Sequence, residues 1–331
     1  MEKVRVGIIG LGRWGECHLE AFSSLPQAEV VAVCDMNQER LDNAGKKYGV
    51  KNLYLQYEDL IKRDDIDLVS VVTFEKNHLE PTLLALKSGK HVLVEKPITT
   101  RLDEARQMQA AAQESGRYVL PAHLLRFDPR YAEIYQAIHS NRVGKPVSMH
   151  MKRAREKFLF ATFQRTHTVY ELTIHDLDLA IWYAGSRVKS VKAYGKSLTG
   201  APAPEVLWAC LEFESGAVAI LHSNWMTPDE AGIEIADSIE VIGELGTASF
   251  ETSHSGLQIW NKSGRNSPDT HIHFQLFGQT VGSLREQFMY ICRCLTSGET
   301  PEQISFTDAV HGVEVADAIV KSCETGQEIR L

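Results

Sequence analysis

The chain has 331 residues, 44% hydrophobic and 24% charged, which is long enough for two domains and ordinary for a soluble globular protein. A net charge of −8 and a pI near 5.9 argue against nucleic acid or an anionic membrane surface as partner. No apolar stretch approaches the length of a membrane span, and residues 1–5 run directly into the first apolar segment without a signal-peptide pattern.

The first predicted strand, Val4–Ile9, runs into Gly10, Gly12 and Gly15 in G-x-G-x-x-G spacing, and a helix is predicted near 13–24. A second apolar run, 30–34, ends on Asp35, about twenty residues after the glycines. That is the dinucleotide-binding fingerprint. Gly10 permits the tight turn, and Gly12 lets backbone amides approach a pyrophosphate. Gly15 lets the helix lie close to the sheet with its positive end toward the phosphates. Asp35 can accept hydrogen bonds from an adenosine ribose and would repel the 2′-phosphate of NADP, so NAD is favoured, with Arg40 the nearest cation in sequence.

Further strands are predicted at 53–55, 68–72, 91–94 and 118–120, with helices near 38–48, 57–63, 77–88 and 101–115. Gly49, Gly89 and Gly116 close three of these helices. Continuous apolar strands alternating with helices predict a doubly wound parallel sheet over residues 1–122. The strand at 91–94 leads straight into Glu95, Lys96 and Pro97, at the carboxyl edge where open α/β sheets bind ligands. A lysine placed there can hold a developing alkoxide.

From residue 123 the pattern changes. A helix at 128–140 and a strand at 147–155 precede a polar loop and a helix at 169–183. Strands follow at 188–194, 206–214, 217–225, 233–242, 247–251 and 257–260, and helices near 281–297 and 306–323 close the chain. The tight turns at Gly216 and Gly246 predict antiparallel hairpins. Residues 123–331 therefore read as an α+β domain on a large, mostly antiparallel sheet whose open face suits a subunit interface. Glu171 and His175 lie four apart on a helix, one face together, so the carboxylate can orient a histidine that takes a hydroxyl proton. Asp176 and Asp178 read as helix-surface or structural groups. Arg153 and Asn224 join His123, Arg126, Arg155, Arg165, His167 and Trp225 as weaker candidates for substrate contact, with Trp225 able to stack on a sugar face. His271 and His273 read as surface residues. The six cysteines (17, 34, 210, 292, 294 and 323) read as reduced packing residues of a cytoplasmic protein, and no structural metal is expected.

The glycine motif, Asp35, Glu95-Lys96-Pro97 and the helix carrying His175 together resemble the glucose–fructose oxidoreductase/inositol dehydrogenase (Gfo/Idh/MocA) family. Residues 73–78, Arg126-Phe-Asp-Pro129, Ile242-Gly243 with Gly246, and Thr325-Gly326 extend the resemblance over the whole chain. It implies an NAD(P)-binding Rossmann domain, a second domain for substrate and oligomerisation, and hydride transfer at a secondary hydroxyl of a sugar or cyclitol. The implied partners are that small-molecule substrate and a second or further copies of the chain, as a homodimer or homotetramer. It implies Lys96 and His175 as catalytic groups with Glu171 beside them, and a cofactor set of Gly10, Gly12, Arg13, Trp14, Gly15, Asp35, Thr73, His78, Glu95, Lys96 and Pro97. A cis Lys96–Pro97 peptide is also implied. Family members commonly carry aspartate where this chain has Glu171. Two other readings share the same residues: an enzyme that recycles a tightly held NAD through oxidation, elimination and reduction, and a non-catalytic dinucleotide sensor.

Overall fold

In the computed structural model, which describes residues 3–262 and 264–331, the apolar runs of the first third become one parallel sheet. Its elements are β1 (Val4–Ile9), α1 (Arg13–Ser23), β2 (Ala28–Cys34), α2 (Gln38–Tyr48), β3 (Asn52–Tyr54), α3 (Tyr57–Ile61), β4 (Leu68–Val71), α4 (Leu79–Lys87), β5 (His91–Val94), α5 (Leu102–Ser115) and β6 (Val119–Pro121). The strand order is β3-β2-β1-β4-β5-β6, every pair parallel. The order reverses between β1 and β4, and such a reversal opens a crevice at the strands' carboxyl ends. Val6, Ile8, Leu68, Val69, Val92 and Leu93 are all fully buried, as a sheet covered on both faces requires.

This parallel sheet belongs to a compact unit of residues 1–128 together with 270–310. The second stretch contributes a helix, Ser283–Ser297, whose Phe288 stacks on Phe22 of α1 at 4.1 Å and meets the edge of His18. It lies far beyond residue 122 in sequence. An amphipathic helix needs an apolar partner, and α1 supplies it.

The other unit comprises residues 129–269 and 311–331. It contains α6 (Pro129–His139), β7 (Pro146–Glu156), α7 (Lys157–Phe163), a π-helical turn (Val169–Thr173), α8 (Ile174–Ala184), β8 (Val188–Lys196), β9 (Val206–Phe213), β10 (Val218–Thr227), β11 (Ala236–Gly243) and β12 (Thr247–Glu251). Its seven-stranded sheet runs β12-β11-β7-β10-β9-β8 and ends on the terminal strand Ile329–Arg330. The hairpins β9–β10 and β11–β12 are antiparallel as predicted. β7 and β10 pair in parallel, so the sheet is mixed.

The polar loop expected after β7 is instead largely helix α7, because Phe160 and Phe163 find an apolar partner in Trp225. The helix predicted from residue 169 opens on the π turn. Among the described residues, no helix is long and apolar enough to cross a membrane.

Candidate active site

In the first unit the glycine loop is shaped by contacts that tolerate no side chain. Gly10 has φ +96°, and a Cβ there would meet the Val72 carbonyl oxygen at 2.5 Å. A Cβ on Gly15 would come within 2.0 Å of the Gly10 carbonyl oxygen. Gly12, by contrast, has open space where a Cβ would stand, and it caps α1 without a side-chain hydrogen bond. The first N–H groups of α1 have no intrahelical acceptor, so the loop offers amides and a positive helix end to a pyrophosphate. Arg13 and the half-buried Trp14 open that helix.

Asp35 closes the cradle. Its Oδ2 accepts the Leu11 N–H at 2.7 Å and its Oδ1 the Asn37 N–H at 2.8 Å. One carboxylate thus braces the glycine loop and keeps lone pairs for ribose hydroxyls. Arg40 stands 3.6 Å from Oδ2. These features fit a dinucleotide: a cradle that a Cβ would fill, bare helix amides and an acid at the end of β2.

Behind the loop lies a buried polar network that sequence reasoning missed. Glu95 Oε1 accepts from Trp14 Nε1 at 2.8 Å and from His18 Nε2 at 3.0 Å, while His18 Nδ1 meets Ser70 Oγ at 2.9 Å. Glu95 Oε2 accepts the backbone N–H of Lys96 at 3.0 Å. Burial pushes the Glu95 carboxyl up, but its hydrogen bond with His18, the His18 and Lys96 charges and the Trp14 donor outweigh this and hold it below the usual carboxylate range. The available signal was the i, i+4 spacing of Trp14 and His18, which puts both side chains on one face of α1.

The Lys96–Pro97 peptide is cis. His78, fully buried, sits 3.0 Å from both the Pro97 and Thr73 carbonyl oxygens, so it ties together two segments of the expected cofactor set.

In the second unit, Glu171 lies on the π turn and His175 in the first turn of α8. Thr173 Oγ1 donates to Ser223 Oγ at 2.8 Å and pins the turn to β10. The Val169 N–H donates to His167 Nδ1 at 3.2 Å. Burial pushes the His167 pKa down to about 4, so the ring is a neutral acceptor at pH 7. Glu171 Oε2 faces Arg165 Nη2 at 3.5 Å.

Several weaker candidates have structural partners. Arg153 is 1% exposed, with Asp176 accepting from its Nη2 at 2.7 Å and Asp237 from its Nη1 at 2.7 Å. Arg155 donates to both oxygens of Asp237, at 2.6 and 3.1 Å. Burial raises the Asp237 carboxyl pKa, but the two guanidinium groups outweigh that and hold it low. Asp176 and Asp178 are both buried, which overturns the helix-surface reading and leaves the structural one.

Trp225 is buried, with Phe163 stacked on it at 5.5 Å, so that ring face packs against protein rather than a sugar. Asn224 Oδ1 accepts the Met226 N–H. In the first unit, buried Arg126 bonds Asp308 at 3.1 Å, and His123 is buried nearby in sequence. His273, expected at the surface, lies 3.3 Å from Glu20 with its side chain 15% exposed.

A family model described as "Oxidoreductase family, NAD-binding Rossmann fold" matches residues 4–123, and one for the GFO/IDH/MocA C-terminal domain matches residues 131–249. The chain is 27% identical to the scyllo-inositol 2-dehydrogenase (NAD(+)) of Bacillus subtilis, over 99% of this chain and 96% of that protein. It is 25% identical to the myo-inositol 2-dehydrogenase of Thermotoga maritima, over 99% and 98%. The fold is similar to that of the Lactobacillus casei scyllo-inositol dehydrogenase solved with NAD(H) and scyllo-inositol: TM-score 0.85, 22% identity, covering 99% of each chain.

Proposed function

The chain belongs to the GFO/IDH/MocA family of NAD-binding oxidoreductases, and from that membership we propose that it oxidises a secondary hydroxyl of a cyclitol or related sugar. NAD held by the glycine loop and Asp35 supplies the hydride acceptor. The observation that carries the reading is the Glu95 network. It joins the N-terminal helix of the cofactor cradle, through Trp14 and His18, to the backbone of Lys96. The lysine is therefore placed by the same buried carboxylate that braces the cradle. Its ammonium holds the substrate oxygen as negative charge develops there. His175 takes the hydroxyl proton, and Glu171 lies one helical turn away. The similarity to inositol dehydrogenases favours cyclitols within this class.

The oligomer belongs to the same proposal. The open face of the mixed sheet carries Tyr194, Trp208, Val218 and Ile220, each at least 40% exposed. A cluster of this kind marks an association surface, and we assign it to a second copy of the chain. The six cysteines are free thiols, which supports a reducing, cytoplasmic setting.

The test is NADH formation across inositols, aldoses and glycosides, with Lys96→Ala as control. The variant should keep NAD affinity and lose about 100- to 1,000-fold in kcat. A fully active Lys96→Ala protein would remove the lysine from the mechanism.

A further inference from the structure

Glu171 belongs to a second arrangement that the family's general chemistry does not require. The Arg165 guanidinium is held from three sides. Its Nη1 donates to the Thr162 carbonyl oxygen at 3.3 Å, its Cζ lies 5.7 Å over the Phe163 ring, and its Nη2 is 3.5 Å from Glu171 Oε2. Phe163 is itself stacked on Trp225, whose Nε1 donates to Thr168 Oγ1 at 3.3 Å. The guanidinium thus rests on an aromatic ladder rooted in the core, a cation–π support that limits its freedom before any ligand arrives. Its side chain remains 33% exposed, while that of Glu171 is 10% exposed.

A separation of 3.5 Å is the outer limit of a direct hydrogen bond. It leaves a fixed donor and a fixed acceptor side by side, in the turn that leads into His175. A hydroxyl both donates and accepts, so two neighbouring hydroxyls can take N–H bonds from Arg165 and give O–H bonds to Glu171. The carboxylate beside it offsets the guanidinium charge, which favours neutral hydroxyls over an anionic group. We infer that Arg165 and Glu171 together read a vicinal diol of a neutral polyol, with Arg165 a specificity-determining residue. This rests on the proposed oxidation of a polyol at His175.

The experiment compares NAD-loaded wild type, Arg165→Ala and Arg165→Lys with scyllo-inositol, myo-inositol, a monodeoxyinositol and galacturonate, with thermal melts as a folding control. Arg165→Ala should raise KM for the inositols about 10- to 100-fold, the range for lost bonds to a charged group, with kcat and the KM for NAD little changed. The preference for inositol over its deoxy analogue should shrink, and millimolar guanidinium should restore part of it. Arg165→Lys keeps the charge and should recover part of the affinity, and it carries the test if the alanine variant does not fold.

An unchanged KM and deoxy preference in these variants overturn the inference while leaving the dehydrogenase standing. Galacturonate oxidised in preference to inositols, with that preference lost in Arg165→Ala, replaces the diol reader by an anion site. Wild type that binds NAD but forms no NADH from any polyol removes the proposed reaction, and the inference with it.

Discussion

Single side chains of this protein serve two tasks at once. Asp35 braces both the Leu11 amide of the glycine loop and the Asn37 amide after β2, and Glu95 holds both α1 and Lys96. The glycines are equally constrained. Gly15→Ala puts a methyl 2.0 Å from a backbone oxygen, so the loop must open. NAD affinity measured by calorimetry should fall at least about tenfold, as expected when a backbone cradle is displaced; equal affinity would show that the helix can shift without cost. His167 gives a pH prediction. Its folded pKa is about 4 against about 6.5 in an unfolded chain. The unfolded state therefore binds more protons between these values, and stability is lost as pH falls through that window. The melting temperature should drop from pH 7 to pH 5, and less steeply in His167→Gln. Parallel slopes for the two proteins would mean that His167 titrates alike folded and unfolded.

At the element scale, the turn into α8 is held where several elements meet. The π turn is tied to β10 by Thr173 and Ser223, and the first turn of α8 is tied to β7 and β11 through Asp176, Arg153 and Asp237. Asp176 is the neighbour of His175, so this ion network also sets where the histidine begins. Arg153→Ala leaves two carboxylates buried with their shared partner gone. Loss of about 3–5 kcal/mol in urea unfolding is expected, the cost of stranding a buried charge. A loss below about 1 kcal/mol would place the network at the level of surface ion pairs. Residues 169–173 read as α-helix in the sequence because a single π turn differs from an α turn only in closing its hydrogen bonds one residue further on.

At the scale of the whole molecule, two sheets of opposite character divide the work. The parallel sheet is covered on both faces and carries the glycine loop, Asp35 and Lys96 at its carboxyl edge. The mixed sheet leaves one face with Tyr194, Trp208 and Ile220 exposed, Trp208 stacked on His222 at 3.8 Å. If that face joins copies of the chain, Trp208→Glu should shift the mass measured by light scattering toward the monomer while far-ultraviolet circular dichroism is unchanged. An unaltered mass would place the interface elsewhere.

The parallel sheet, the glycine cradle, Asp35, the lysine at the end of β5 and the two hairpins of the second sheet are all legible in the sequence. Each of these depends on residues close together in the chain, through apolar runs, glycine conformations and short turns, and such signals are local. The rest depends on contacts between residues far apart in the chain. Glu95 finds Trp14 and His18 about eighty residues away, and Arg153 finds Asp176 and Asp237 on other elements. Segment 157–163 becomes a helix because Trp225 lies beneath it. No periodicity records such pairings, because a buried charge or ring is stabilised by whatever the fold brings to it.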